Sequence, residues 1–286
     1  MAFIQGFIPP PTRARYDSIL LFWQLAYPAF GSMQWLVKWY GMGKTSSPSR
    51  FNIPGRVAWL TMEVPGFITL LYVMRTLPPQ FGIQDLPWQN RVLAGLFVIH
   101  YIYRAIFFPL LQPSMAPIHV LVWLSAISFQ LFNGTCLGSW LAAYGPVSEE
   151  SWAEQSSLPQ FVLGVAVFYV GLAANFFHDE QLREIRRRRR SPSSQSRGRG
   201  SMGAKVYEIP KGGLFRYVLY PHYLCEWIEW FGFLMAAGWT CAPAWAFLVN
   251  EIFAMLPRAI RGKAWYVDRF GREKVAGRRA IIPGLL

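Results

Sequence analysis

Long apolar stretches recur along this sequence, and that repetition restricts the possible folds more than any single motif does. An α-helix rises 1.5 Å per residue, so about 20 residues cross the ~30 Å hydrocarbon layer of a bilayer. Stretches of roughly this kind lie at residues 17–40, 56–77, 91–111, 116–144, 158–177, 214–239 and 242–256. Several contain Pro, Gly or a charge, which suits helices facing protein or a cavity better than helices facing lipid. Trp35, Trp39, Tyr40, Trp88, Trp140, Tyr144, Trp152 and Trp265 stand near span ends, as aromatic belts do at a membrane interface. A water-soluble helical core needs a polar stripe on most helices, and residues 92–111 and 161–177 have none. Composition agrees: 15% of residues are charged and 53% apolar, against about 25% charged in an average globular chain. The expected fold is all-α, a single integral-membrane bundle of about seven transmembrane helices.

A net charge of +13 suggests a nucleic-acid partner in a soluble protein. Here the cations lie mainly outside the apolar stretches. Lys38, Lys44, Arg50 and Arg56 flank the first connection, a basic segment runs from Arg183 to Lys211, and Arg258 to Arg279 fill the tail. The connection after the fourth stretch has Glu149, Glu150 and Glu154 and no cation. By the positive-inside rule the N-terminus is luminal and the C-terminus cytosolic, so the charge reads as topology and no nucleic acid is expected. No secretory signal peptide is expected, because the first residues lack a basic region. Cys136, Cys225 and Cys241 lie in or beside apolar stretches and read as packed thiols. Residues 186–205, rich in Arg, Ser and Gly, read as a basic cytosolic loop attracted to anionic lipid headgroups. Gly198, Gly200 and Gly203 match a dinucleotide fingerprint in letters only, since no strand precedes them, and the run at Gly41–Thr45 lacks the first glycine of a P-loop.

Ionisable groups inside spans are costly and point to function. Glu63, His100, Arg104, His119, His178, Asp179, Arg216, His222, Glu226, Glu229 and Glu251 are such groups, with Asn175 among them. Arg216, Glu251 and His119 read rather as structural or interfacial. The four histidines are not paired at helical spacing, so no histidine-box metal site is expected. No G-x-S-x-G elbow is present either. What remains is carboxylate, Tyr, Arg and Asn in a dry setting, which suits binding an anionic cofactor and polarising a carbonyl. Glu63 lies inside an apolar helix that favours its neutral acid, able to donate a hydrogen bond. Tyr101 is followed three residues later by Arg104, expected on the same side of the helix. By spacing alone Tyr101 reads as readily as a core aromatic.

The stretch from Tyr207 through Gly212-Gly213-Leu214-Phe215 to Glu226 and Gly232, then Pro257-Arg258-Ala259, Trp265-Tyr266 and Ile281-Ile282-Pro283, resembles the steroid 5α-reductase family. The upstream elements Ala58-Trp59 with Glu63-Val64-Pro65, His100-Tyr101 with Arg104, and Asn175 with Asp179, Arg183 and Arg186 fit the same pattern, so the resemblance covers roughly residues 40–286. It implies a seven-helix membrane protein of the endoplasmic reticulum that uses NADPH to reduce a carbon–carbon double bond conjugated to a ketone. The lipophilic substrate implied is a 3-oxo-Δ4-steroid. Glu63 and Tyr101 are implied as catalytic donors to the 3-oxo group. Arg104, Asn175, Asp179, Arg186, Tyr207, His222, Glu226, Arg258 and Tyr266 are implied as cofactor-binding residues, with no metal.

The sequence departs from the family's pattern at His222, often Asn, at Gly262 and Lys263, at residues 272–279, and at Gln112 and Met115 in the third connection. A very-long-chain enoyl-CoA or polyprenol reductase is the nearest alternative. An isoprenylcysteine or phospholipid methyltransferase is more distant, because no acidic pair follows Arg258. A non-enzymatic membrane protein with a lipid-binding loop leaves Glu63, Asn175, Asp179 and Glu226 without a purpose.

Overall fold

The computed structural model describes residues 2–188 and 207–286. It is mostly helical. The helices are α1 (Arg13–Leu36), α2 (Gly55–Thr76), α3 (Trp88–Tyr101), α4 (Phe108–Leu111), α5 (Val120–Ser139), α6 (Glu149–Gln155), α7 (Leu158–Arg188), α8 (Pro221–Ala237), α9 (Ala242–Phe270) and α10 (Arg272–Val275). Asn52–Ile53 (β1) and Ile118–His119 (β2) form a short antiparallel pair, with Asn52 opposite His119 and Ile53 opposite Ile118. Among the described residues, four helical segments are long and apolar enough to cross a membrane: Gly55–Phe81, Trp88–Leu111, Val120–Tyr144 and Leu158–Arg188.

Each of the seven apolar stretches contains a helix, but several limits move. The sixth stretch becomes helical only at Pro221, whose fixed φ and missing N–H favour the first helical position, while Gly213–Arg216 form a separate tight turn. The start of the fourth stretch is taken by β2, so its helix begins at Val120. The fifth continues past residue 177 to Arg188, so Arg186 and Arg188 belong to a helix and not to a loop; the rest of the basic loop, from residue 189 to 205, lies outside the described residues. The seventh runs through Pro257 to Phe270.

Two helix pairs form the closest contacts, and glycine makes both possible. Between α2 and α5, a Cβ on Gly134 would overlap the carbonyl oxygen of Gly66. Between α7 and α8, Gly171 lies against the backbone nitrogen of Glu229, and Gly232 against that of Phe168. Membrane helices gain little from hydrophobic burial against each other, so small residues that let backbones touch are a main source of their association. Outward faces are apolar: Leu25 on α1 and Val170 on α7 are 65% and 66% exposed. α1 packs along α9, closing the bundle.

Candidate active site

Two polar clusters lie inside this apolar frame. The first is built by α2, α3 and α5. Glu63 follows α2 by two turns from its start, just ahead of Pro65, and its Oε2 accepts a hydrogen bond of 2.5 Å from Gln130 Nε2 on α5. One turn along α5, Asn133 Nδ2 donates to the Tyr101 hydroxyl oxygen at 3.1 Å. Tyr101 is buried against Phe97 and Trp230. Gln130 reaches across because residue 66 has no side chain: a Cβ there would overlap Gln130 Oε1. Such bonds between spans contribute only about 0.6 kcal/mol each on average, so orientation is their larger effect.

The second cluster is ionic and is built by α3, α7 and α8. His100 Nδ1 shares a hydrogen bond of 2.7 Å with Glu229 Oε1, and its Nε2 faces Glu226 at 3.8 Å. Arg104 lies between Glu226, at 3.8 Å, and Asp179, at 3.9 Å, with its guanidinium over the rings of Trp59 and Phe108. Asn175 donates to Glu226 Oε2 at 3.2 Å and to the His222 carbonyl oxygen at 3.0 Å. Tyr103 donates to Asp179 at 3.2 Å and accepts from the fully buried Arg183 at 2.5 Å. Buried cations therefore alternate with carboxylates, the arrangement that makes buried charge tolerable.

Tyr101 and Arg104 do not project as a plain α-helix predicts. Residues Ile102–Phe107 form a π-helical stretch immediately after Tyr101. A wider turn rotates the chain less per residue, so three positions on, Arg104 has swung away from Tyr101 toward α7 and α8. Tyr101 is thereby left in the first cluster and Arg104 in the second, and α3 joins the two. The Trp59 indole N–H steadies the π-helical stretch by donating to the Arg104 carbonyl oxygen at 3.0 Å.

The remaining sequence-predicted residues are spread toward one end of the bundle. Arg186 donates to Gln112 Oε1 at 2.9 Å, which ties α7 to the third connection. Arg258 donates to Gln34 Oε1 at 2.7 Å and lies over Tyr40, joining α9 to α1. His222 packs on Tyr220 and Tyr223. Tyr266 neighbours Tyr220, while Tyr207 packs on Trp265 under Arg269. The hydroxyl of Tyr220 crosses over Gly262, where any Cβ would overlap it, so this departure from the family pattern makes room for that ring.

Sequence reasoning missed three residues. Gln130 and Asn133 are uncharged and so do not stand out among ionisable groups, although two amides one turn apart in an apolar span are a readable signal. Lys44 is the third: its ammonium donates to the Tyr220 hydroxyl at 3.2 Å and lies 4.0 Å and 4.5 Å from the Trp265 and Tyr266 ring centroids. The residue as a whole is exposed, but these rings shelter its charged end. Desolvation, and secondarily the Arg186 charge, pull its pKa down to about 8.

Among the described residues no group of His, Cys, Asp and Glu is arranged to hold a metal. Asn175 Oδ1 and His222 Nδ1 are buried with no hydrogen-bond partner. Beside Arg104 and the carboxylates they suit a ligand that both donates and accepts, such as a carboxamide or a ribose. The cations Lys44, Arg186 and Arg258 suit its phosphates. A dinucleotide therefore fits the residues present.

The profile of a protein family described as 3-oxo-5-alpha-steroid 4-dehydrogenase matches residues 116–286. The chain is 36% identical over 252 residues to a protein of Schizosaccharomyces pombe named only as uncharacterized, covering 83% of this chain and 86% of the other. It is 31% identical over 263 residues to mouse 3-oxo-5-alpha-steroid 4-dehydrogenase 1, covering 92% and 93%. It is 30% identical over 272 residues to tomato steroid 5-alpha-reductase DET2, covering 91% and 93%.

Proposed function

Because this chain belongs to the 3-oxo-5-alpha-steroid 4-dehydrogenase family, we propose that it reduces the Δ4 double bond of a 3-oxo-steroid with NADPH. It works as a multi-pass protein of the endoplasmic reticulum membrane with seven spans, a luminal N-terminus and a cytosolic C-terminus. The helices α1, α8 and α9 complete the four that are long and apolar enough by themselves. The observation that carries the reading is the junction on α3, where a buried phenol and a nearby carboxyl face one way and an alternating ionic network faces the other.

Bound NADPH would supply a hydride to the β-carbon of the enone, and a proton from solvent at the α-carbon would complete the saturated ketone, leaving NADP+. Tyr101 and neutral Glu63 donate hydrogen bonds to the 3-oxo oxygen, where negative charge grows as the double bond is lost. Donors fixed in a water-poor site contribute roughly 3 kcal/mol each to such a transition state. Arg104, Asn175, Asp179, His222 and Glu226 would hold the cofactor's nicotinamide and ribose, while Arg186, Arg258, Tyr207 and Tyr266, with Lys44, would hold its phosphate end. The apolar surroundings of Tyr101 exclude water and accept a flat polycyclic skeleton. Lipids surround the bundle, and no nucleic acid takes part.

The test is NADPH oxidation by the purified protein with 3-oxo-Δ4-steroids, enoyl-CoAs and polyprenals. Oxidation with the steroids is expected; oxidation with enoyl-CoAs or polyprenals alone would reject the steroid assignment.

A further inference from the structure

We propose that Gln130 and Asn133 are positioning residues, a pair of amides on α5 that fixes the direction in which Glu63 and Tyr101 present their protons. The proposal rests on the reading of those two residues as donors to a carbonyl.

A phenol or a carboxylic acid inside an apolar bundle can turn its hydrogen toward any acceptor in reach. A donor already bound to its oxygen restricts that choice. Asn133 Nδ2 donates to the Tyr101 oxygen, so the phenol hydrogen is left for another acceptor. Gln130 Nε2 does the same at Glu63 Oε2, leaving Oε1 as the oxygen that carries the proton. Both amides come from one face of one helix, one turn apart, so the two donors are held in a fixed relation to each other.

Asn90 shows what a structural amide looks like in the same molecule. Its Nδ2 donates to the carbonyl oxygens of Leu141 and Pro146 at 2.7 and 2.9 Å, and its Oδ1 accepts from Trp152 at 2.6 Å. By contrast, Gln130 Oε1 and Asn133 Oδ1 are both buried with no partner. Thr135, Ser139 and Asn250 carry unmet polar atoms too, so what sets Gln130 and Asn133 apart is that each donates to an oxygen of a proposed catalytic side chain. The room for Gln130 is itself built in, by the absence of a side chain at Gly66.

A residue that acts only through another loses its effect when that other is removed. In the full-length protein with NADPH bound, Asn133→Leu is expected to slow single-turnover reduction about tenfold, yet by less than about twofold in a Tyr101→Phe background. The NADPH Kd is expected to stay unchanged in both, and Asn133→Ser, which keeps a donor, to recover part of the rate. Equal losses in the two backgrounds, or no loss in either, would overturn the proposal. Turnover of a steroid enone by the wild-type protein is measured first, because its absence counts against the donor reading itself. The C=O stretch of a bound saturated 3-oxo-steroid tests the amides without turnover. Its downshift is expected to shrink in Asn133→Leu and in Gln130→Leu, and an unchanged downshift in both would again overturn the proposal.

Discussion

The α2/α5 pair and the α7/α8 pair are assembled alike and furnished differently. In each, glycines let two helix backbones touch. Between α2 and α5 the polar groups next to that contact are a carboxyl and two neutral amides, with the Tyr101 phenol brought in by α3. Around α7 and α8 they are Asp179, Glu226, Glu229 and Arg183, joined by His100 from α3 and Arg104 from the π-helical stretch that follows it. Under the proposed function the difference matches what each half would bind. A developing oxyanion would need donors that keep their protons; the amides that touch Glu63 and Tyr101 are neutral, while the Arg104 charge lies near enough to act on Glu63. A dinucleotide carries phosphates, hydroxyls and an amide, and needs cations held in place by carboxylates.

If the two halves are separate in this way, substitutions should split turnover from cofactor binding. The largest effect is expected at Glu63→Leu, which removes the donor, with kcat lowered roughly a hundredfold or more while the NADPH Kd is unchanged. Parallel loss of NADPH binding would break the division. Arg258→Ala is expected to do the converse, weakening NADPH binding roughly tenfold with a smaller effect on kcat at saturating cofactor, as read by cofactor titration followed by saturated turnover.

The glycines sharpen the contrast. Gly171→Ala presses on backbone, which cannot yield easily, and is expected to cost about 1–3 kcal/mol and to lower Tm. Gly66→Ala meets the far end of the Gln130 side chain, which can move aside. A fall in kcat with a smaller fall in Tm is expected there, and thermal unfolding beside turnover distinguishes the two.

The smallest effect concerns pH. Lys44 is charged below about 8 and neutral above it, so its attraction for phosphate is lost as pH rises through that value. The NADPH Kd is expected to rise by a few-fold across that interval, since a charge near solvent contributes about 1 kcal/mol or less. Lys44→Met is expected to bind more weakly at low pH and to lack this step; a step that persists in the variant would assign it to another group.

Much of the architecture was legible because the signal for a membrane helix is strong: twenty apolar residues leave few alternatives. Helix limits were less so, since Pro221 and the β1/β2 pair act locally within stretches that look uniformly apolar. Glu63, Asn175, Asp179 and Glu226 stood out as polar groups where burial is expensive. Tyr101 did not, being an ordinary aromatic by spacing, and was reached through the family resemblance. The separation of Tyr101 from Arg104 was hidden because a π-helical stretch leaves no periodic signature over so few residues. Lys44 was hidden because its partners Tyr220, Trp265 and Tyr266 are far away in sequence.

Under the proposed function, hydride passes from NADPH to the β-carbon of a steroid enone held by Tyr101 and Glu63. The most direct measurement supplies NADPH deuterated at the transferable position of its nicotinamide and follows the steroid product by mass spectrometry and NMR. One deuterium at the β-carbon is predicted, with the α-carbon hydrogen coming from solvent and the labelled product strongly reduced in Glu63→Leu. Product without deuterium at that carbon, or labelled product formed as fast by Glu63→Leu as by the wild-type protein, would contradict it.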